Sequence, residues 1–440
     1  MSHDNEIVSL SIESLAHDGR GVGRYNGKAV FVDGALPGET ANVWFRKRRR
    51  KFDEAILDSI ISPSPDRVEP RCPHFQQCGG CSLQHLHSDA QILHKQQLLH
   101  ENLKRIGKVL AESTIAPLQA DLWGYRRKAR LGVRYVRKKE RVLVGFREKG
   151  SSFITDTQSC AVLHPSVGAH IALLAHTIGT LSIRDCIPQI EVAIGSERGC
   201  LVFRVLAPLS EGDRERLLDL ERQIDLRILI QPGGVDSVYP LTQGDDLLGY
   251  RLPESDVEFH FKPLDFTQVN QSINRKMVAQ ALHYLQLDPQ DTVLDLFCGL
   301  GNFSLPMARQ AARIIGIEGD AGMVQRAQDN ALANQIDNCT FYQADLFDWE
   351  SVAQILQRDN FNKLLLDPPR SGAESLVRGL AAAGTKPERI VYISCNPATL
   401  ARDVGILVGE ADYRLIQSGV MDMFPHTAHT EAMAVLEQST

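Results

Sequence analysis

Long apolar runs are missing from this 440-residue sequence, and no stretch reaches the roughly 18 apolar residues that a membrane-spanning helix needs. The first residues, M-S-H-D-N-E, also lack the basic segment and apolar core of a secretion signal. Cysteine is scarce, with nine residues in the chain, which excludes a small disulfide-stabilised scaffold. We therefore expect a soluble cytoplasmic protein without a membrane partner, whose cysteines are thiols or metal ligands.

The overall composition is that of an ordinary folded chain, but the charge is unevenly distributed. Hydrophobic residues make up 43% and charged residues 23%, which excludes disorder over the whole length. The net charge of -6 combines 26 basic and 17 acidic residues at positions 1–150 with 22 basic and 37 acidic residues at positions 151–440. A basic front joined to an acidic remainder predicts a polyanion-binding surface attached to a catalytic or regulatory body.

Two basic stretches lie in the N-terminal third. The run Arg46–Lys51 contains six consecutive cations, which repel one another unless a polyanion relieves the repulsion. Residues 124–150 hold eleven Lys and Arg but two Glu, and the cations alternate with β-branched and aromatic residues as on one face of a hairpin. Solvated segments without a ligand are the alternative for both stretches, but the pattern favours a nucleic-acid partner.

Three regions differ in their patterns and together predict an α/β protein of about three domains. Residues 1–62 contain short alternating strands separated by G-R-G-V-G-R and L-P-G, which predicts an OB-like β-barrel. Residues 68–262 mix α and β patterns and predict a central α+β domain, with a helix within 90–110. Residues 263–440 alternate continuous apolar strands with amphipathic helices, which predicts a doubly wound, Rossmann-like parallel sheet.

Polar side chains close the predicted strands of the last region. The loop D-L-F-C-G-L-G-N-F begins at Asp295, Glu318 ends the next strand, and Asp345 follows the third. Ligands of such sheets bind at the carboxyl ends of the strands, where Glu318 would accept hydrogen bonds from ribose and Asp345 would meet the adenine edge. Because the third glycine of G-x-G-x-x-G is missing, S-adenosylmethionine fits better than a dinucleotide. Helix capping is the alternative role of each acid taken singly.

Two residues near the end of the chain predict covalent chemistry. Cys395, in S-C-N-P, follows a strand and precedes a helix that starts near Pro397, so that the positive end of the helix favours its thiolate form. Glu431 precedes the final strand and is a candidate general base if its loop folds over the same strand ends. Cys298 and Cys339 lie in apolar contexts and are interpreted as core residues.

A cluster of three cysteines predicts a metal site. Cys72, Cys78 and Cys81 lie within ten residues of one another, and the last two are separated by Gly-Gly, which lets the chain wrap around a bound group. Cys160 is the candidate fourth ligand. Four thiolates suit either zinc or a [4Fe-4S] cluster, and the spacing leaves both open.

Four motifs, in the order D-L-F-C-G-L-G-N-F, L-L-D-P-P-R, S-C-N-P-A-T-L-A-R-D and D-M-F-P-H-T-A-H-T-E, resemble those of the RNA uracil-C5 methyltransferases. The N-terminal segment is similar to the TRAM RNA-binding barrel, so the resemblance spans nearly the whole chain. It implies a class I methyltransferase domain over 263–440, with Cys395 as the nucleophile and Glu431 as the base. It also implies cofactor contacts from six residues. These are Gln268, Phe297, Asn302, Glu318, Asp345 and Asp367.

The same resemblance implies a [4Fe-4S] cluster rather than zinc on Cys72, Cys78, Cys81 and Cys160. It implies 23S ribosomal RNA as the substrate, because transfer-RNA relatives generally lack the cluster and the barrel. We also expect a monomeric enzyme that has no DNA partner. Transfer RNA is the alternative substrate, and a non-catalytic iron-sulfur RNA-binding protein is a further alternative. Phe266 is the candidate to replace a flipped uridine in the base stack.

Overall fold

The computed structural model describes residues 7–244, 247–356, 360–383 and 386–439, and the chain forms two compact units. Unit 1 comprises the residues up to Leu98 together with Phe146–Thr155 and Phe424–His429, and the remaining residues form unit 2. No helix in the described ranges is long and apolar enough to cross a membrane. The boundaries of the three predicted domains stay a prediction.

Five strands of unit 1 form a closed barrel in the order β1-β2-β3-β5-β4, which confirms the predicted N-terminal barrel. Alternate side chains point inward and form one apolar core, which includes Leu10, Val30 and Val43. The barrel strands are β1 Ile7–Leu15, β2 Gly21–Tyr25, β3 Lys28–Asp33, β4 Thr40–Arg48 and β5 Phe52–Ser62.

Within the segment G-R-G-V-G-R, Gly19 and Arg20 lie in the connection between β1 and β2, but Gly21–Arg24 belong to β2, so the interpretation of the whole segment as a separator was wrong for those four residues. A Cβ on Gly21 would lie 2.7 Å from the carbonyl oxygen of Ala35, and one on Gly23 would lie 2.5 Å from that of Ser11. These glycines are required because neighbouring backbones approach closely inside a small barrel, rather than because the chain turns there.

Helix α1, Ser88–Asn102, continues as a π-helical turn at Leu103–Gly107. The turn packs on a later helix of unit 2, where a Cβ on Gly107 would collide with the carbonyl oxygen of Ala401. The short strand β6, Ser113–Thr114, then adds to an edge of the largest sheet of unit 2.

The first half of unit 2 contains a six-stranded sheet in the order β12-β11-β10-β9-β7-β8. Strands β7 and β8 are antiparallel neighbours, so residues 128–145 form the predicted basic hairpin. A separate two-stranded hairpin, β13 and β14, follows. The elements are β7 Lys128–Val136, β8 Arg141–Gly145, α2 Pro165–Gly168, α3 Ile171–Thr180, β9 Gln189–Ile194, β10 Gly199–Arg204, α4 Glu211–Ile224, β11 Arg227–Gln231, β12 Tyr239–Pro240, β13 Leu248–Leu252 and β14 Val257–Phe261. Single 3-10 turns lie at Arg137–Lys139, Val235–Ser237 and Pro253–Ser255.

The second half of unit 2 contains the predicted parallel strands in an eight-stranded sheet of order β17-β16-β15-β18-β19-β21-β20-β6. Its elements are α5 Gln271–Leu285, β15 Thr292–Leu296, α6 Ser304–Ala308, β16 Arg313–Glu318, α7 Ala321–Ala333, β17 Cys339–Gln343, α8 Trp349–Leu356, β18 Lys363–Leu366, α9 Glu374–Ala383, β19 Arg389–Ser394, α10 Pro397–Glu410, β20 Tyr413–Met421 and β21 Glu431–Gln438.

This sheet is mixed, so the expectation of an all-parallel sheet holds for β15 to β19 but not beyond them. Strand β21 runs antiparallel to β19, with Ser394 opposite Ala432. Continuing that register by one residue brings Cys395 opposite Glu431. The antiparallel return of the chain therefore brings the start of β21 to the carboxyl end of the parallel strands.

Candidate active site

The loop after β15 turns sharply over the end of the strand. Phe297 has a φ of +65°, Gly299 one of +55° and Gly301 one of +92°. The backbone N–H groups of Phe297 and Cys298 both donate to the carbonyl oxygen of Ile317 on β16, at 2.9 and 3.2 Å. The loop is thereby fixed against β16, and its glycines carry no side chains of their own that would keep a ligand from approaching the backbone closely.

Glu318 organises the same loop from the end of β16. One carboxylate oxygen accepts from the N–H of Gly299 (3.0 Å), and the other accepts from those of Gly319 (2.8 Å) and Asp320 (3.0 Å). A carboxylate has about four acceptor positions, so the side chain keeps capacity for a hydroxyl ligand.

Asp345 follows β17, is exposed, and accepts from the N–H of Phe347 (2.9 Å). The aromatic ring of Phe347, 57% exposed, lies edge-on to that of Phe297 with centroids 6.1 Å apart. The structure thus brings the loops after the first and third parallel strands into contact.

Glu431 is close enough to Cys395 to influence the ionisation of its thiol. Burial, followed by the nearby carboxyl groups of Glu431 and Asp367, raises the pKa of the Cys395 thiol to about 11, and the Arg370 guanidinium acts in the opposite direction. Glu431 is 3% exposed, and burial raises its pKa well above the usual value, with the Asp367 charge acting in the same direction. The sequence predicts a lowered thiol pKa from the helix end, but burial beside two acids outweighs that effect.

The position of Arg370 is set by the segment that carries Cys395. The carbonyl oxygen of Arg370 accepts hydrogen bonds from Asn396 Nδ2 (3.0 Å) and Thr399 Oγ1 (3.3 Å). Asn396 is also the N-cap of α10, where its Oδ1 accepts from the N–H of Ala398. One asparagine therefore connects the D-P-P-R turn to the start of α10 beside the thiol.

Two further acids lie under these strand ends. Asp295 is fully buried and accepts from the Ser304 hydroxyl (2.5 Å), and burial, with smaller contributions from Asp367 and Glu318, raises its pKa to about 7. Burial raises the pKa of Asp367 to about 7 as well. The site therefore has carboxyl groups that titrate near neutrality, an arrangement that is enriched in active sites.

Gln268 and Asn302 both lie beside Asn274. Gln268 lines a cavity of about 20 Å³, the space for one water molecule, together with Tyr250, Arg127 and Asn274. Asn302 exchanges two hydrogen bonds with Asn274 and accepts a third from Tyr250. Sequence reasoning missed Tyr250 and Asn274, because neither lies in a motif and residues 160–255 offered no chemical pattern.

The segment before Glu431 is fixed within unit 1. The N–H of His426 donates to Gln91 Oε1 (2.9 Å), and the fully buried Lys95 donates to the carbonyl oxygen of Phe424 (3.0 Å). Both partners lie on α1, more than 300 residues earlier in the sequence.

Three of the four predicted metal ligands lie in one loop of unit 1. The N–H of Gly80 donates to Cys78 Sγ (3.4 Å), and the N–H of His74 favours the thiolate of Cys72, although burial raises the pKa of that thiol. All four cysteines are half-buried and outside any disulfide, and Cys160 belongs to unit 2. Within the described ranges, no three His, Cys, Asp or Glu side chains are arranged to hold a metal ion.

The basic run Arg46–Lys51 forms the exposed tip of the β4–β5 hairpin. The Arg48 guanidinium lies 4.0 Å from the centroid of the Phe45 ring, and Arg49 pairs with Glu54 (3.0 Å). The β7–β8 hairpin differs, because several of its cations are paired with acids of unit 2. These pairs are Arg130 with Glu191, and Lys139 and Arg141 with Asp156.

Comparisons with known proteins agree with this arrangement. Residues 3–55 match the TRAM domain family, and residues 240–439 match the family of tRNA (Uracil-5-)-methyltransferase. The crystal structure of the Pyrococcus abyssi tRNA (uracil-54, C5)-methyltransferase in complex with S-adenosyl-L-homocysteine has the same fold, with a TM-score of 0.72 and 24% identity over 98% of this chain and 100% of that chain. The family matches and the fold together define an S-adenosylmethionine-dependent methyltransferase with an N-terminal barrel.

Relatives that match nearly the whole chain identify the family within this class of methyltransferases. The 23S rRNA (uracil(1939)-C(5))-methyltransferase RlmD of Legionella pneumophila strain Corby is 48% identical over 97% of this chain and 96% of its own length. The protein of the same name from Methylococcus capsulatus is 50% identical over 98% of this chain and 97% of its own. The chain belongs to this family of 23S rRNA (uracil-C5)-methyltransferases.

Proposed function

We propose that this chain transfers the methyl group of S-adenosylmethionine to C5 of a uridine in 23S rRNA, at position 1939 as in the names of its relatives. The observation that carries the proposal is the juxtaposition of Cys395 and Glu431 at the carboxyl end of the sheet. A thiol nucleophile and a carboxylate base side by side are what substitution at a weakly nucleophilic carbon requires.

In the proposed reaction Cys395 adds as a thiolate to C6 of uracil, which converts the ring into an enolate. C5 of the enolate then attacks the sulfonium methyl group and releases S-adenosylhomocysteine. Glu431 removes the proton left on C5, and elimination expels Cys395 and restores the double bond. The sum is one methyl group transferred and one proton released, without any change of oxidation state.

The proton positions follow from the environment of the site. Burial raises the pKa of the Cys395 thiol and that of Glu431, so the surroundings oppose the loss of a proton from either group. Arg370 favours that loss at both groups, because its positive charge stabilises the thiolate and the carboxylate.

The donor lies along the carboxyl ends of β15 to β18 in this proposal. Glu318 binds the ribose hydroxyls and Asp345 the adenine edge, while Gln268, Phe297, Asn302 and Asp367 complete the contacts. The target uridine must leave its base stack to reach Cys395. Phe266, 69% exposed, is suited to fill the vacated position in the RNA.

The direct test is to map 5-methyluridine in RNA from cells with and without this protein, and then to repeat the methylation in vitro. Loss of one 5-methyluridine from 23S rRNA, restored by the purified protein, is the expected result. The match to the transfer-RNA methyltransferase family favours transfer RNA as the second candidate substrate, and loss of 5-methyluridine from transfer RNA instead would identify that function.

The proposal includes a [4Fe-4S] cluster on Cys72, Cys78, Cys81 and Cys160. The donor set suits such a cluster chemically, because four cysteine thiolates are its usual ligands and backbone N–H groups are directed at two of the four thiols. Such N–H donors stabilise thiolate ligands. The reaction above contains no one-electron transfer, so we assign the cluster a structural role. It would organise the loop that carries Cys72, Cys78 and Cys81 for RNA binding.

Protein purified without oxygen should therefore contain iron and absorb broadly in the visible region. Cys72→Ser should lose iron and bind RNA more weakly, while its affinity for S-adenosylhomocysteine is retained because the proposed donor site lies in unit 2. Cys186→Ser, at another half-buried cysteine, is the matched control and should keep its iron. Stoichiometric zinc without iron would overturn the assignment of the cluster.

RNA affinity should fall steeply with salt, because the hairpin tip Arg46–Lys51 presents exposed cations to phosphates. Replacing Arg48, Arg49 and Arg50 with Gln removes up to three phosphate contacts, so the slope of log K against log salt should shrink by about 2 to 3. The control replaces Arg216 and Arg222, which are exposed cations on α4, and should leave the slope unchanged. An unaltered slope in the triple variant would mean that the tip faces solvent in the complex.

A further inference from the structure

The side-chain amide of Asn302 is held from behind by two buried residues. Its Oδ1 accepts from the Tyr250 hydroxyl (2.8 Å) and from Asn274 Nδ2 (2.9 Å), while its Nδ2 donates to Asn274 Oδ1 (2.9 Å). Tyr250 is 8% and Asn274 3% exposed. These residues come from the hairpin β13–β14 and from α5, so three separate segments meet at one amide.

In the structure the oxygen end of the Asn302 amide faces the Tyr250 hydroxyl. The buried Tyr250 hydroxyl has one hydrogen to donate, and rotating the Asn302 amide would replace the acceptor of that hydrogen with an N–H group, so the observed orientation is favoured. In this orientation both lone pairs of Asn302 Oδ1 accept hydrogen bonds, one from the Tyr250 hydroxyl and one from Asn274 Nδ2. The Asn302 Nδ2 nitrogen has two hydrogens, and it donates one of them to Asn274 Oδ1. A single N–H group of this amide therefore remains to donate to a ligand in the proposed donor site.

We infer that Tyr250 and Asn274 are positioning residues that hold Asn302 as a hydrogen-bond donor to the carboxylate of the amino-acid part of S-adenosylmethionine. The inference rests on the proposed function. At that end of the donor molecule the ammonium group can only donate and the carboxylate can only accept, so a lone N–H selects the carboxylate. The ribose is assigned to Glu318, which ends β16, and the adenine is assigned to Asp345, which follows β17. Both strands lie on one side of β15, the strand whose loop carries Asn302.

The chain allows the hydroxyl of Tyr250 to be removed with little other change. The Tyr250 ring stacks on that of Phe259, with centroids 4.8 Å apart and planes 16° apart, and Tyr250→Phe keeps this packing. What the variant loses is the donor that distinguishes the two ends of the Asn302 amide. Tyr413→Phe is a matched control, because the buried Tyr413 hydroxyl donates to the carbonyl oxygen of Pro387 (2.8 Å) and not to a residue of the proposed donor site.

The experiment measures equilibrium binding of S-adenosylhomocysteine and of its decarboxylated analogue by calorimetry. Tyr250→Phe should weaken S-adenosylhomocysteine about tenfold, as expected when a hydrogen bond to a charged group is impaired, but should change the affinity for the decarboxylated analogue less than about twofold. Asn274→Ala should show the same selective loss, whereas Tyr413→Phe should bind both ligands as the wild type does.

The ligand comparison separates positioning from a general loss of structure. Equal weakening of both ligands by Tyr250→Phe, or unaltered binding of S-adenosylhomocysteine, overturns the inference. If Tyr250→Phe fails to fold, Asn274→Ala provides the same comparison. A wild-type protein that binds neither ligand would instead contradict the proposed function, so the two failures are distinguishable.

Discussion

Replacing Cys395 with alanine should abolish both methyl transfer and any covalent complex with RNA, a loss of at least about four orders of magnitude in rate. The reason is that C5 of uracil becomes nucleophilic through addition of a thiolate to C6, and alanine has no thiol to make that bond. RNA with 5-fluorouridine at the target position provides the measurement, because fluorine cannot leave as a cation and the wild-type adduct therefore persists in denaturant.

The pH dependence of that adduct follows from the environment of Cys395. The pKa of the thiol is raised to about 11, so at any pH below that value the thiolate fraction increases about tenfold for each unit by which the pH is raised. The rate of adduct formation should therefore increase with pH between roughly pH 6 and 9. Cys339→Ala is the matched control. Cys339 begins β17, an edge strand that three other strands separate from β19, so its replacement should leave the adduct intact. Continued methylation by Cys395→Ala would refute the covalent mechanism itself.

Glu431→Gln should stop the cycle one step later and accumulate an intermediate that the wild type does not retain. The variant keeps the Cys395 nucleophile and the methyl donor, so it should add to C6 and methylate C5. It cannot remove the C5 proton, so ordinary RNA should remain bound through Cys395 with the new methyl group attached. Gel electrophoresis in denaturant with methyl-labelled donor measures this complex.

The same variant tests the electrostatics of the site. Glu431 raises the pKa of Cys395, so its neutralisation should lower that pKa and leave the first addition as fast as in the wild type or faster. Glu437→Gln, at the far end of β21, is the control on the same strand and should turn over normally. Normal turnover by Glu431→Gln would show that another group removes the proton.

The order and type of the main elements could be predicted from the chain alone. The strands around Leu294, Ile315 and Leu365 are continuous apolar runs, and such runs form the buried centre of a parallel sheet whatever surrounds them. The alternation along β1 likewise predicts one face turned into a barrel. The glycines Gly21 and Gly23 were misinterpreted as part of a connection, because glycine also occurs inside strands where neighbouring backbones approach closely.

The site was predictable only as a set of separate residues. Glu318 and Cys395 were recognised because each follows or ends a strand, which is a local property. That Glu431 lies opposite Cys395 depends on β21 running antiparallel between β19 and β20, and no short-range pattern encodes which strands a final strand pairs with. Tyr250 and Asn274 were missed for the same reason, since their partner Asn302 lies 52 and 28 residues away.

The sequence by itself determined the chemistry available to this protein: a thiol after a strand, acids at successive strand ends, a run of six cations and a cysteine loop. Only the tertiary structure decided the ionisation of those groups. A pKa depends on burial and on charges from every nearby segment, so Cys395 beside Glu431 and Asp367 became a protonated thiol rather than the thiolate that its own helix predicted. Local sequence encodes residue types and element periods, whereas desolvation and charge proximity exist only once distant strands have paired.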